Sequence, residues 1–250
     1  MPHRRWIILA VFVLSGAAAL IDEIVWSRQL VLVFGNTTQA VSAILTGFFG
    51  GMAVGSVVGG RIADRVRVPL RMYGLLELAL VVVVLLTPVS FRLINGLYKG
   101  IYPGLETSPT ALALVRVVLA VLALAPATVL MGATLPTLTR HLARHVELSS
   151  AFSRLYAANT IGAIGGTAVA GFVLIEVFGL SGALAIGAGC SAVAGVLALL
   201  LAGWGAGAAD GGAPMPVPSR AASRPAVAHR HTAPRLALAV AFISMLHLCR

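Results

Sequence analysis

Three charged side chains lie inside long apolar stretches of the sequence, and they are the residues best placed to do chemistry. Glu23, Glu77 and Arg116 each sit in a run of mainly aliphatic neighbours. If these runs cross a bilayer, a charge near its middle costs about 2.5–3.5 kcal/mol on insertion scales, so such residues pair with one another or mark an ion or substrate site. Carboxylates in this setting would suit cation binding or proton transfer.

The positions along the runs predict one ion pair. At 1.5 Å of rise per residue, Glu23 lies about 24 Å along the first run and Arg116 about 8 Å from the opposite end of the fourth, so their depths are similar. We therefore predict an interhelical pair between Glu23 and Arg116, which would act as a structural contact or as a gate or substrate site. Asp22 would then lie near water, because successive residues of a helix point about 100° apart.

A second polar group is predicted nearer the other end of the runs. Glu77 lies about 11 Å into the third run, and Asn159 and Thr160 lie at about the same depth in the fifth. The three residues predict a polar layer that binds a cation or relays a proton. The alternative is a hydrogen-bonded contact that only holds helices together.

Small residues recur every four positions in two of the runs, which places them on one helical face. Such faces let helix backbones approach closely in a bilayer, so they predict packing seams, with a sliding seam in a transporter-like bundle as the alternative. A short basic turn that contains Asp64 and Arg65 follows the first of these faces. The glycines are Gly47, Gly51, Gly55 and Gly59 in the second run, and Gly162 and Gly166 in the fifth.

The composition predicts a multi-pass membrane protein. Of the 250 residues, 59% are hydrophobic and 10% charged, with a mean hydropathy of +0.97, whereas soluble domains average about 25% charged residues. The net charge of +10 does not indicate a nucleic-acid partner, because the basic residues are scattered between apolar runs without interleaved aromatics. His141 and His145 lack a third metal ligand nearby, and we predict no cofactor in this chain.

Six runs are long enough to span a bilayer, which needs about 20 residues per crossing. Lys and Arg concentrate at one end of these runs, for example at 61–71 and 140–154, and the positive-inside rule then places the N-terminus in the cytoplasm. The predicted spans are 6–27, 38–60, 70–95, 111–138, 152–177 and 180–204.

The sequence predicts three segments. Residues 1–204 form a six-span membrane domain, and the Gly-, Ala- and Pro-rich residues 205–234 form a disordered cytoplasmic linker. Residues 236–244 partly repeat residues 7–15, so we predict that 235–250 begin a seventh helix. This helix is too short to cross a bilayer, which favours a truncated or frame-shifted product.

Four stretches together resemble a known family. Residues 15–30, 34–65, 130–140 and 155–179 resemble the integral-membrane portion of bacterial fused polyamine synthases, which are spermidine-synthase-like proteins. The resemblance implies an all-α integral-membrane fold, namely a six-helix half of a major-facilitator-like bundle in the bacterial inner membrane. It also implies a cytosolic aminopropyltransferase domain, for which this chain offers no strand followed by a glycine-rich turn.

The resemblance further implies partners and functions. In facilitator-type folds the second and fifth helices face the other six-helix half, so the two glycine faces predict a missing C-terminal half or a homodimer, within a lipid bilayer. The first hypothesis is the membrane domain of a spermidine-synthase-like fused protein, with no catalytic domain in this chain. The second is a transporter-like half that dimerises to move a polyamine or another small cation. The third is an inert fragment.

Overall fold

The computed structural model describes residues 2–105, 108–144 and 146–206, and in this part of the chain helices joined by short connections are present, without a strand. The all-α prediction is therefore confirmed. The chain divides into a unit Met1–Ala208 and a second unit Ala209–Arg250, and the second lies outside the described residues. The helices are α1 Pro2–Phe34, α2 Thr38–Ala63, α3 Pro69–Leu105, α4 Pro109–Leu142, α5 Leu148–Val169 and α6 Ile175–Ala206, with a π-helical turn Ala170–Leu174 before α6.

Glycine, proline and a capping side chain mark several helix boundaries. Gly35 follows α1 with φ of 85°, a left-handed conformation that glycine adopts readily. The Thr37 side chain accepts a hydrogen bond of 3.2 Å from the backbone N–H of Ala40 and so caps α2. Pro69 and Pro109 begin α3 and α4, where the missing N–H of proline removes no helical hydrogen bond.

Five helical stretches of the described chain are long and apolar enough to cross a membrane, so the chain is of the multi-pass type, but the predicted count of six is not reproduced. The difference lies between Leu148 and Gly203, where helix continues without an intervening loop. Gly179 interrupts this stretch with φ of 68° and ψ of −178°. It falls in the gap between the predicted spans 152–177 and 180–204.

The chain turns back on itself around Gly179. On α5, Gly162 packs on Val13 and Gly166 packs on Ala17, so α5 runs parallel to α1. On α6, Gly187 packs on Ile21.

The direction of α6 follows from its contacts with α3. Gly74 packs on Leu199, and Glu77 packs on Gly195, so α6 runs antiparallel to α3. The helices α1 and α3 are themselves parallel, because Ser15 bonds to Glu77 and Trp26, further along α1, bonds to Thr87, further along α3. The helices α5 and α6 therefore run in opposite directions.

The first glycine face packs against α4. A Cβ built on Gly55 would lie below 3.0 Å from the backbone of Val129, and one on Gly59 would meet Ala133. Gly47 packs on Ala120 and Gly51 on the side chain of Thr128.

The second glycine face packs against α1, where Gly162 and Gly166 meet the backbones of Val13 and Ala17. We expected both faces to lie unpaired until another half or a second copy covered them. That expectation is corrected, because the neighbouring helices of the same chain already cover them. The glycines therefore give no reason to invoke a partner.

The outer surface of the bundle is apolar, as a lipid environment requires. Leu32 is 79% exposed and Phe172 is 83% exposed, and many other aliphatic side chains point outward. Inside, the largest fully buried side chains include Phe12, Trp26 and Tyr73. The predicted linker 205–234, apart from the last residues of α6, and the predicted seventh helix 235–250 lie outside the described residues.

Candidate functional site

Glu77 of α3 forms the centre of a buried polar cluster. Its side chain is 0% exposed, and Ser15 of α1 donates a hydrogen bond of 2.5 Å to its Oε1. The side chains of Ser191 on α6 and Tyr73, one helical turn earlier on α3, border the same carboxyl. Glu77 Oε2 and the Tyr73 hydroxyl nevertheless make no hydrogen bond of acceptable geometry. Two polar atoms at one buried position are thus left without partners.

A second buried carboxyl lies further along the same interface. Asp22 of α1 is 1% exposed, and its Oδ1 has no hydrogen-bond partner. It occupies the space left by the missing side chain of Gly187 on α6. Asp22 lies seven residues after Ser15, which is two helical turns on the same face and about 10.5 Å along the axis. The two carboxyls are therefore stacked along the junction of α1, α3 and α6, close enough to interact electrostatically.

The neighbours of both carboxyls are neutral or acidic. Glu77 interacts with Ser15, Ser191 and Tyr73, and the charged group that acts on Asp22 is Glu77 itself. No lysine, arginine or histidine of the described residues is among these neighbours. Because an isolated buried carboxylate is strongly disfavoured, each group must hold a proton or a cation in the folded protein.

A cavity of about 320 Å³ lies next to two of the side chains that border Glu77. Ser15 and Ser191 line it, so the two side chains that border the Glu77 carboxyl separate that carboxyl from the cavity. Most of the wall is aliphatic or aromatic, with contributions such as Phe12, Phe48 and Met131. A mainly apolar wall with a few convergent polar groups is typical of small-molecule sites.

The predicted pair between Glu23 and Arg116 does not form. Glu23 is half-buried and accepts a weak hydrogen bond of 3.5 Å from Ser27 on its own helix. Arg116 is buried and donates from Nε to the Tyr98 hydroxyl at 3.0 Å, with its guanidinium 6.0 Å from the centre of that ring. The arginine is thus stabilised by a phenol and its π face instead of a carboxylate.

The predicted orientations of the two neighbouring acids on α1 are wrong. Asp22, which we expected near water, points into the bundle, and Glu23 points away from it. The physical reason is the 100° step between them, which allows only one to face α3 and α6.

The polar layer predicted for Glu77, Asn159 and Thr160 is not a single cluster. Asn159 packs its backbone carbonyl and its side-chain oxygen on Gly16 and also lines the cavity, whereas Thr160 donates at 2.8 Å to the Tyr156 carbonyl of its own helix. Asn159 and the two serines that border Glu77 thus share the cavity, while Thr160 faces an open groove between α1 and α5.

The basic turn after α2 makes an ion pair with α4. Asp64 caps the end of α2, and its Oδ1 lies 3.3 Å from Nε of Arg140 at the end of α4. Both side chains are more than half exposed, so this pair contributes little to stability. Arg65 is exposed in the turn itself.

Sequence reasoning missed most of the residues around Glu77. Tyr73 precedes Glu77 by four positions, and Ser15 precedes Asp22 by seven, so each pair shares a helical face, a signal that could have linked them. Ser191 lies in an apolar run, and nothing in its spacing links it to Glu77. No group of three or more His, Cys, Asp or Glu side chains that could hold a metal occurs within 2–105, 108–144 and 146–206.

No protein-family model, no curated protein and no solved structure matches this chain.

Proposed function

We propose that this chain is a transporter-like membrane unit that binds a small organic cation at Asp22 and Glu77. The observation that carries the proposal is the burial of two carboxyls, 1% and 0% exposed, without a basic neighbour, with Ser15 and Ser191 between Glu77 and an apolar cavity. Ionisable residues inside a membrane bundle are functional by default, and carboxyls without counter-ions select cations.

The spacing of the two carboxyls supports a polyamine-like ligand. Asp22 lies about two turns along α1 from Ser15, the hydrogen-bond partner of Glu77, and aliphatic side chains surround the cavity next to Ser15. A molecule with ammonium groups joined by a short hydrocarbon chain would satisfy the carboxyls at its ends and the apolar wall in between. A compact inorganic cation would interact with the carboxyls but not with the apolar wall.

The resemblance of residues 15–30, 34–65, 130–140 and 155–179 to spermidine-synthase-like fused proteins adds a biological setting. We propose that the chain is the membrane domain of such a protein, with six crossings that arise from the reversal at Gly179 and with a cytoplasmic N-terminus. The concentration of Lys and Arg at one end of the helices supports that orientation.

Equilibrium binding of radiolabelled spermidine to the purified full chain tests the cation site. Glu77→Gln and Asp22→Asn should each weaken binding at least tenfold, because removing one partner of a buried charge pair costs about 2–5 kcal/mol. Glu23→Gln is the matched control, since it neutralises the adjacent acid that faces away from the cluster. Unchanged affinity in Glu77→Gln would refute the proposal.

Uptake into proteoliposomes separates a transporter from a binding domain. Wild-type protein should accumulate labelled spermidine, and Glu77→Gln should abolish uptake while Glu23→Gln retains it. Binding without uptake would favour the membrane domain of a fused enzyme over the transporter.

A further inference from the structure

A second surface feature lies away from the buried carboxyls, where α2 ends and α3 begins. An open groove of about 460 Å³ extends there from Ile62 of α2, past Val68 in the connecting segment, to Met72 and Leu75 in the first turns of α3. Ile62, Val68 and Leu75 are 47%, 41% and 55% exposed, so the groove presents aliphatic surface to the surroundings of the bundle.

Two arginines complete the wall of this groove. Arg67 and Arg71 are four residues apart, both are exposed, and both line the groove. The acidic residue nearest to them in sequence, Asp64, lies 3.3 Å from Arg140, so its charge is already matched. The result is an apolar groove with a positively charged rim at the end of the bundle where the basic residues concentrate.

We infer that this groove binds one molecule of an anionic phospholipid. The phosphate would contact the guanidinium groups of Arg67 and Arg71, and an acyl chain would lie along Ile62, Met72 and Leu75. Charge complementarity selects this occupant, because basic side chains at a membrane surface favour anionic headgroups. A zwitterionic lipid carries the same phosphate, but its cationic headgroup offsets the attraction to the arginines, and a free phosphate would match only the arginines.

Native mass spectrometry of the detergent-purified full chain tests this assignment. During titration with phosphatidylglycerol or phosphatidylcholine, one phosphatidylglycerol should be retained at concentrations where phosphatidylcholine is not. The double variant Arg67→Gln/Arg71→Gln should weaken phosphatidylglycerol binding about 30-fold, since each arginine near an anionic surface contributes about fivefold. The matched control is Arg92→Gln/Lys99→Gln, which removes two charges further along α3 and should change binding less than twofold.

A second variant examines the apolar part of the site. Met72→Trp fills the groove and leaves both arginines in place, so it should also reduce retention of phosphatidylglycerol, with thermal unfolding as the check that the bundle is intact. Equal retention of the two lipids would overturn the inference. So would a loss of phosphatidylglycerol binding in Arg92→Gln/Lys99→Gln equal to that in Arg67→Gln/Arg71→Gln. Displacement of the lipid by inorganic phosphate at the same concentration would also overturn it, because the headgroup alone would then account for binding. None of these outcomes depends on Asp22 or Glu77, so the lipid site and the cation site are tested independently.

Discussion

At the scale of single residues, the hydrogen bonding of Glu77 is the unusual feature. A buried carboxyl normally uses both oxygens, yet only Oε1 is satisfied, by Ser15, while Oε2 and the nearby Tyr73 hydroxyl have no partner. Asp22 has an unpartnered oxygen as well. The Tyr73 hydroxyl borders the Glu77 carboxyl, so these two groups can satisfy each other, whereas Asp22 Oδ1 keeps acceptor capacity for a ligand or a proton.

The space for Asp22 depends on the lack of a side chain at one position. A Cβ at Gly187 would overlap Asp22 Oδ1. We therefore expect Gly187→Ala to displace the carboxyl and to weaken spermidine binding about tenfold, a loss of about 1.4 kcal/mol. Equilibrium binding measures the effect.

Gly189 offers the matched control for this substitution. It lies two residues further on α6, and a Cβ there would meet nothing within 4 Å. Gly189→Ala should bind like the wild type, and equal losses in the two variants would contradict the role given to Asp22.

At the scale of helices, close backbone contacts organise the bundle into pairs. The glycines of α2 fit against α4, and those of α5 fit against α1, so both pairs run parallel and lie closer than larger side chains would permit. The cavity has walls from both pairs, with Met52 and Met131 on one side and Phe12 and Asn159 on the other.

The seam between α2 and α4 should be sensitive to one methyl group. Gly55→Ala would place a Cβ against the backbone of Val129, which cannot move aside cheaply. Overpacking of this kind costs about 1–3 kcal/mol, and thermal unfolding in detergent measures it.

Gly50 is the control on the same helix, because a Cβ there would meet nothing within 4 Å. Gly50→Ala should leave stability unchanged or raise it by up to about 1 kcal/mol through helix propensity. If Gly55→Ala were equally harmless, the seam would not require glycine.

The sequence allowed the helices and small-residue faces to be predicted, but not the neighbours of each face. Apolar run length and four-residue spacing are local properties, so Gly55 and Gly162 could be assigned to packing seams. Which helix meets a face depends on the arrangement of the whole bundle. For that reason the partner of Gly55 proved to be α4 of the same chain, and Arg116 paired with Tyr98 and not with Glu23.

At the scale of the whole molecule, the reversal at Gly179 decides how many times the chain would cross a bilayer. A single continuous span from Leu148 to Gly203 would run parallel to α1 along its entire length. The contacts instead make α5 parallel to α1 and α6 antiparallel to α3. The start of α5 and the reversal at Gly179 should thus lie on opposite sides of the membrane.

Cysteine labelling in intact bacterial cells measures this topology. Ser149 and Ser181 are both exposed, and single variants Ser149→Cys and Ser181→Cys can be made after replacing Cys190 and Cys249 by serine. A membrane-impermeant maleimide should modify Ser181→Cys from outside, and Ser149→Cys only after permeabilisation.

Two results would contradict this topology. External labelling of Ser149→Cys would reverse the proposed orientation. Failure to label Ser181→Cys from either side would place it within the bilayer, as one uninterrupted span requires.

The buried indole of Trp26 has a spectroscopic consequence. It is 1% exposed, it donates to the Thr87 hydroxyl at 3.2 Å, and it follows Asp22 by one helical turn. Trp6, in contrast, is 71% exposed. Together with the bond from Ser15 to Glu77, the indole bond aligns α1 and α3 in parallel register. The chain therefore contains a native fluorophore one turn from a carboxyl, whose emission wavelength would follow local polarity without any attached dye.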